Sequence, residues 1–484
     1  HLFTLAQAAL ESRWGERAEG YNFFGIKAKA TTPLPNKQLW VTKEELAVPN
    51  SNKFPEVLSI TKLSNGKYLY RVKDWFMKYD TPEDSFTDHA NFFFRNKRYA
   101  KALEVKADPY KFAEEVAKAV YEAVKATGNS GRGANSASLN STKMLYDTRE
   151  KLCKLFNGKD SSRIAFTHNA TEALNIVIRG LFKEGDHIIT TEAEHNSVLR
   201  PLYRSRKEEN TELTFIKCDK EGRLLISEIE KNIKENTKAI ICTHASNLTG
   251  NIMDIEKIGK ICRENNLIFI VDASQSAGSI PVDIEKQNID ILCFTGHKSL
   301  YGAQGTGGLY VREGILIDPL KVGGSGIDTY NTEHPAEMPE RLEAGTLNSH
   351  GIAGLRAGLD FINSTGIEKI HNREKELMWR FYNGIKNIKN IKIYGEYFDT
   401  DGRAIDRISI VTINLGDIDS AEICDILNEE YDIVTRAGGH CAPLMHKALG
   451  TEVQGAVRFS FSYFNTEEEI DTAINAIKEI VELF

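Results

Sequence analysis

Lys298 ends the run DILCFTGHK and Asp272 ends NLIFIVD, so each closes an apolar stretch of strand length and opens a polar loop. A lone lysine at a strand end is most often structural or solvated. Paired with a strand-end aspartate it fits a pyridoxal phosphate site, where lysine forms a Schiff base with the aldehyde and the carboxylate keeps the pyridine nitrogen protonated. The protonated ring is then an electron sink. THNATEALN adds a phosphate cradle, because Ala170 and Thr171 stand at a helix N-terminus with unused backbone N–H groups. Thr295 and His297, beside the lysine, add donors; His195 in AEHNSV can stack on the ring, and Asn247 in HASN and Gln275 in DASQ can bond its phenolic oxygen. Taken singly, each is more often a cap or a core polar group. Their joint placement is what points to a cofactor.

A second group lies in TRAGGHCAPLMHKALGT, where Cys441 follows His440 in a glycine-rich loop. A free cysteine is most often a small buried hydrophobe. Here Gly438 and Gly439 predict a mobile loop, and Arg436 and His440 would favour the thiolate. Such a thiolate could attack sulfur on a substrate held by the pyridoxal ring, leaving a persulfide on the protein. Arg436 and Arg458, in GAVRFSFSYF, suit a substrate carboxylate, although surface pairing is the commoner fate of an arginine. A third candidate is Glu11, followed by Trp14, Tyr21, Asn22 and Phe24. That set reads either as a general acid beside an aromatic groove, its pKa raised by apolar surroundings, or as a solvated glutamate near core aromatics.

Such groups need elements to hold them. SRIAFTHNA, DHIITTEAEHN, TKAIICTHASN, NLIFIVDASQ and DILCFTGHK each read as a buried strand ending in a polar loop, with helical patterns such as ATEALNIVIRGLF and DIEKIGKICRENN between them. The alternation predicts an α/β domain with a mainly parallel sheet covered on both faces. Ligands collect at the carboxyl ends of such strands, so the five loops should converge on one site. Near the start, Leu5, Ala8, Ala9 and Trp14 have helical spacing, and DTPEDS has the proline and acids of a helix N-terminus.

At 484 residues the chain is long enough for two to four domains. A net charge of −7 argues against a nucleic-acid partner. No apolar run reaches the ~18–20 residues that span a bilayer, and HLFTLAQAAL lacks the features of a signal peptide. All seven cysteines lie beyond residue 150 without a CxxC pair, which argues against a metal site or a disulfide framework and suits a reducing interior. The cytoplasm is the expected location.

Two resemblances meet in this chain. ALESRWG (9–15), YNFFGIKA (21–28), VKDWFMKYDTPEDSFTDHANFFFRNKRYAKAL (72–103) and DPYKFAEEVAKA (108–119) resemble the peptidoglycan-cleaving endo-β-N-acetylglucosaminidases, with a lysozyme-like, mainly helical fold. That resemblance implies Glu11 as the catalytic acid, Tyr21 and Asn22 as glycan contacts, peptidoglycan as ligand, and a second carboxylate at Glu44 or Glu45 of VTKEEL. The family's Gly-Tyr-Ala-Thr stretch after FAEEVAKA is missing, so the module is partial. From about residue 115 onward, FTHNATEALN, EHNSV, HASNLTG, VDASQ, TGHKSLYGAQGTGG, EAGTLN, RAGGHCAPLMHKALGT and FNTEEEID resemble the cysteine desulfurases of the class V aminotransferase family. The resemblance implies a pyridoxal-phosphate fold type I enzyme that turns L-cysteine into alanine. Its implied roles are Lys298 as Schiff-base lysine, Asp272 as ring-nitrogen partner, His195 as stacking ring, Cys441 as persulfide carrier and Arg458 as carboxylate anchor. Thr346 of EAGTLN would reach the phosphate of the other subunit of a homodimer, and a sulfur-acceptor protein would follow. A selenocysteine lyase or an aminotransferase is the alternative within the same class. That family's opening strand, of the type Tyr-Leu-Asp-Asn-Ala-Ala-Thr, is also missing.

The letters EEVAKA serve both patterns. The reading is therefore a truncated glucosaminidase-like module over 1–114, a seam at 115–119 inside one continuous helix, a large pyridoxal-phosphate domain over 120–365 and a small α+β domain over 366–484.

Overall fold

The computed structural model describes residues 37–46, 55–62, 68–77, 108–127 and 135–483. The chain forms two compact units, 1–108 and 109–484. In the first, β1 (Lys37–Leu46), β2 (Glu56–Lys62) and β3 (Tyr68–Met77) make an antiparallel sheet in the order β1-β3-β2, closed by buried Tyr70 and Val72. VTKEEL lies in β1, with Glu44 opposite Tyr70 and Glu45 opposite Leu69. Glu11, Tyr21, Asn22 and the helices expected around them lie outside the described residues.

The second unit opens with α1 (Pro109–Ala126), an unbroken helix that runs through residues 115–119. Proline at its start is tolerated because the N–H it lacks would have no partner there. Phe112, in its first turn, joins an aromatic cluster: its ring centroid lies 4.8 Å from Phe361, 5.1 Å from Phe464 and 5.5 Å from Tyr301. Further along, Val116 and Val120 approach α6 (Ser349–Thr365) at Gly354, where an added Cβ would stand 3.1 Å from the Val120 side chain. A residue lettered like one pattern thus packs into the body of the other.

After α2 (Ser136–Leu155), the chain builds a sheet of seven strands: β4 (Ile164–Thr167), β5 (His187–Thr191), β6 (Glu212–Ile216), β7 (Thr237–Thr243), β8 (Ile268–Asp272), β9 (Ile291–Thr295) and β10 (Gly307–Val311). Their order is β4-β10-β9-β8-β7-β5-β6, and β6, β5, β7, β8 and β9 pair in parallel. β10 runs antiparallel to both of its neighbours, β4 and β9, and the other pairings are parallel, so the mainly parallel sheet is observed. α3 (Ala170–Leu181), α4 (Asn196–Glu209) and α5 (Ile255–Glu264) cross between strands. Two separate clusters of buried apolar residues cover the two faces, which is why β5, β9 and β10 are buried at every residue.

The last segment packs α7 (Ile367–Ile385), α8 (Ser420–Tyr431) and α10 (Glu467–Leu483) against an antiparallel sheet of β11 (Ile391–Tyr394), β12 (Ile410–Leu415) and β13 (Val457–Ser460). Between α8 and β13 lies the short α9 (Pro443–Leu449). No helix among the described residues is long and apolar enough to cross a membrane.

Candidate active site

The sheet register sets the site. Thr243 pairs with Asp272 and Asp272 with Cys293, while Gly307 pairs with Thr295 on one side and Thr167 on the other. The carboxyl ends of β4, β7, β8 and β9 therefore form one edge, with β5 following through its pairing to β7. An extra Cβ at Gly307 would lie 2.7 Å from the Cα of Asn169, so this glycine lets the start of α3 sit against the strand end. Asn169 caps that helix by accepting from Glu172 N at 2.9 Å, and the N–H groups of Ala170 and Thr171 stand in its unpaired first turn.

Asp272 is buried, and its Oδ1 accepts from the backbone N and the hydroxyl of Ser274. That tight turn leaves Oδ2 with no hydrogen-bond partner among the described residues. Lys298 follows β9 in a turn where Tyr301 N donates to the Lys298 carbonyl at 2.8 Å. The residue keeps solvent access, yet protein packed about its amine pushes its pKa down; Asp272 opposes that shift, while Arg458 and Arg436 add to it. A neutral amine is the form that can form a Schiff base. His297 bonds Thr295 Oγ1 through Nδ1 at 3.0 Å, and its pKa falls through burial and through Lys298.

His195 caps α4: its Nδ1 accepts from Ser197 N at 3.0 Å, which leaves the ring proton on Nε2. Burial, with Lys298, Arg436 and Arg200 nearby, lowers its pKa against the pull of Asp272. Ser197 Oγ lies 2.8 Å from both His195 Nδ1 and Thr171 Oγ1, so one hydroxyl joins the stacking candidate to the phosphate cradle. Neither Ser197 nor Ser274 stood out in the sequence, although each lies inside a quoted motif.

Asn247 Nδ2 donates to the His440 carbonyl at 2.7 Å, and its own backbone carbonyl accepts from Arg458 Nη1 at 2.9 Å. Gln275 is half-buried in the turn after Asp272. Arg436 and Arg458 share a backbone bridge, and Arg458 keeps a buried Nε with no acceptor among the described residues. Burial above all, with the neighbouring Arg436, lowers the Arg458 pKa to about 10. Two adjacent guanidiniums with an unused donor make an anion site.

The glycines of the cysteine loop serve a tied turn rather than a loose one. Cys441 O accepts from Asn196 N at 2.7 Å, Asn247 holds the carbonyl before it, and Gly438 N donates to Ser420 Oγ at 3.2 Å. Cys441 Sγ lies 3.7 Å from Arg436 Nη2. His440 does not help the thiolate: its ring turns inward to Arg436 O and His446, and burial lowers its pKa to about 4, so it is neutral. Thr346 is exposed on a cavity that Thr167, at the carboxyl end of β4, His168 and Asn348 also line. Buried Glu343 pins this EAGTLN segment through an ion pair with Arg149 and a bond from Phe166 N at 2.6 Å.

Glu194 was not foreseen. It is fully buried, and Oε1 accepts from Thr191 Oγ1 at 2.6 Å and Thr243 N at 2.9 Å, tying the end of β5 to that of β7 beside Asp272. Burial above all raises its pKa to about 8.

A family model of the class V aminotransferases matches residues 107–472. The chain belongs to the class V aminotransferase family. A probable cysteine desulfurase of Pyrococcus abyssi is 36% identical over 361 residues, which is 73% of this chain and 87% of the relative. The apo structure of a cysteine desulfurase from Thermococcus onnurineus NA1 superposes with a TM-score of 0.71 at 34% identity, covering 77% of this chain and 92% of that one. Cysteine desulfurase CsdA from Escherichia coli gives a TM-score of 0.68 at 25% identity, over 77% and 92%. Within its family the chain groups with the cysteine desulfurases, which depend on pyridoxal phosphate, act on cysteine and pass sulfur to acceptor proteins. A second model, of mannosyl-glycoprotein endo-β-N-acetylglucosaminidase, matches residues 1–172 and overlaps the first.

Proposed function

We propose that the chain converts L-cysteine to L-alanine and holds the released sulfur as a persulfide on Cys441. The observation that carries this reading is the docking of the Cys441 loop on Asn196 and Asn247, with Sγ beside Arg436, next to the strand ends that bear Asp272 and Lys298. Pyridoxal phosphate fits the residues present: a buried carboxylate with one unused oxygen, a lysine with a depressed pKa and an unpaired helix N-terminus lie on one sheet edge. Ala170, Thr171, Ser197 and His297 would hold its phosphate, His195 its face, Asn247 and Gln275 its phenolic oxygen, and Asp272 its ring nitrogen. When bound, the cofactor supplies an aldehyde and an electron sink.

The chain's own residues do the rest. Arg458 and Arg436 bind the substrate carboxylate and fix its orientation. Lys298, once freed by substrate, moves the proton at the substrate Cα. The Cys441 thiolate attacks the substrate sulfur; its S–S bond forms as the Cβ–S bond breaks, the electron pair goes to Cβ, and Cβ takes a proton to become the methyl group of alanine. Thr346, exposed on the EAGTLN segment, would serve the partner subunit of a homodimer. An acceptor protein then removes the sulfur, in a reducing cytoplasm that keeps the thiols free.

Incubation with L-cysteine should give alanine and a mass increase of one sulfur on Cys441 in the unsubstituted chain, and neither in Lys298→Ala. Consumption of a 2-oxo acid without sulfur on Cys441 would overturn the reading in favour of transamination. A second reading, cell-wall glycan cleavage through Glu11, is favoured by the match over residues 1–172. Clearing of peptidoglycan in a gel by the full chain, lost in Glu11→Gln, tests it. Equal clearing by both rejects it.

A further inference from the structure

Behind Cys441 stands a buried pair of imidazoles that the reaction above does not use. The rings of His440 and His446 lie nearly parallel, 8° apart with centroids at 5.5 Å, and both residues are 2% exposed. Their protons can be assigned from one fixed point. Arg436 O only accepts, so His440 Nε2, at 3.0 Å from it, carries a hydrogen and donates. His440 Nδ1 is then bare and accepts from His446 Nε2 at 3.3 Å. His446 Nδ1 is bare in turn and accepts from the Thr451 hydroxyl at 2.7 Å. Every ring atom is satisfied with both imidazoles neutral, in keeping with burial, which lowers both pKa values.

This column closes a loop. It joins the backbone at Arg436 to the side chain of His440, across Gly438 and Gly439, and is anchored at Thr451, whose backbone N also donates to His446 O at 2.9 Å. Immediately beyond, His440 and Cys441 adopt left-handed backbone conformations, with φ of 49° and 58°. Side-chain-bearing residues avoid that region, and two in succession persist only where the surroundings over-determine them. The column, together with Asn247 on His440 O and Asn196 N on Cys441 O, supplies that determination.

We infer that His446 is a positioning residue for Cys441: by donating to His440 it holds the left-handed turn that sets Cys441 Sγ against the Arg436 guanidinium. The inference rests on the reading of Cys441 as the sulfur carrier. Lys298 and Arg436 are the cations near the thiol, and the turn decides how close the second of them comes.

The test compares His446→Leu, which has no donor, with His446→Gln, whose amide can donate to His440 and accept from Thr451. Sulfur arrival at Cys441 and its rate of alkylation by iodoacetamide are read by mass spectrometry on the full, cofactor-loaded chain. In His446→Leu the sulfur-transfer rate should fall at least about tenfold with KM for cysteine changed less than about twofold, the mark of an interaction needed after binding. The alkylation rate should depart from that of the unsubstituted chain by at least about threefold, because a released turn presents Sγ differently to the reagent. His446→Gln should recover both readouts. Thr451→Val, which removes only the far donor, should change the alkylation rate in the same direction and serves where His446→Leu does not fold. Wild-type readouts in His446→Leu, an unchanged alkylation rate in Thr451→Val, or equal losses in His446→Leu and His446→Gln would overturn the inference. Absence of sulfur on Cys441 in the unsubstituted chain would instead defeat the functional reading beneath it.

Discussion

Asp272→Asn separates the charge of this residue from its place in the fold. The native Oδ1 holds the turn after β8 through Ser274 N at 2.9 Å and the Ser274 hydroxyl, and an asparagine oxygen can keep both bonds. The turn should survive. What is lost is the carboxylate charge at Oδ2, the atom with no hydrogen-bond partner among the described residues. A hydrogen bond to a charged group contributes about 1.5–3 kcal/mol, so cofactor affinity should weaken by roughly 10- to 150-fold. A second effect follows from the same charge. Asp272 raises the pKa values of Lys298 and His195 against the burial that lowers them, so both should drop further in the variant. Titration of cofactor-free protein with pyridoxal phosphate, followed by absorbance and tryptophan fluorescence, measures the affinity, and a thermal melt without cofactor checks the fold. An affinity within about twofold of the parent, in a protein that melts normally, would mean that Asp272 serves the turn alone and that the ring-nitrogen assignment is wrong.

Glu194 links stability to pH. Its carboxyl, raised to about 8 by burial, keeps its proton in the folded chain over the range where the unfolded chain has lost it. Stability should therefore be greatest below the ordinary carboxyl pKa of ~4.3 and decline as pH rises towards 8. Glu194→Gln keeps an oxygen for Thr191 and Thr243, so its advantage over the parent should be small in acid and grow to a few kcal/mol near pH 8, by order of magnitude. Melting temperatures across pH check this, and a difference that does not vary with pH refutes it. Phe112→Ala should cost about 2 kcal/mol of stability in the unit from Pro109 onward, a half-buried fraction of the usual loss on truncating a core phenylalanine. Urea unfolding of the full chain would show it, and an unchanged midpoint would mean that the first turn of α1 does not support the pyridoxal-phosphate body.

Much of the site was legible because of how parallel sheets are built. A strand buried on both faces is a continuous apolar run, and the residue that ends it stands at the ligand edge; Asp272 and Lys298 could be read that way before any contact was known. β10 was harder, since GGLYV carries no sign that it enters the sheet antiparallel between β4 and β9. Glu194 and His446 were invisible for a different reason. One is a carboxylate in a polar motif and the other a histidine on a short helix, and only long-range packing removes them from water and makes them neutral. His440 was read as a cationic neighbour of the thiol because it adjoins Cys441 in sequence. A left-handed turn sends the ring away from the sulfur, a direction that chain order does not encode.

By itself the amino-acid sequence determined the residue types of the site and the strand ends that carry them, since both follow from local order and from apolar runs long enough to be buried. Tertiary structure decided which ionisable groups are charged and which way the cysteine loop faces. Desolvation at Glu194 and His440, and the ties from Asn196 and Asn247 to the Cys441 turn, depend on segments that meet only in the folded chain.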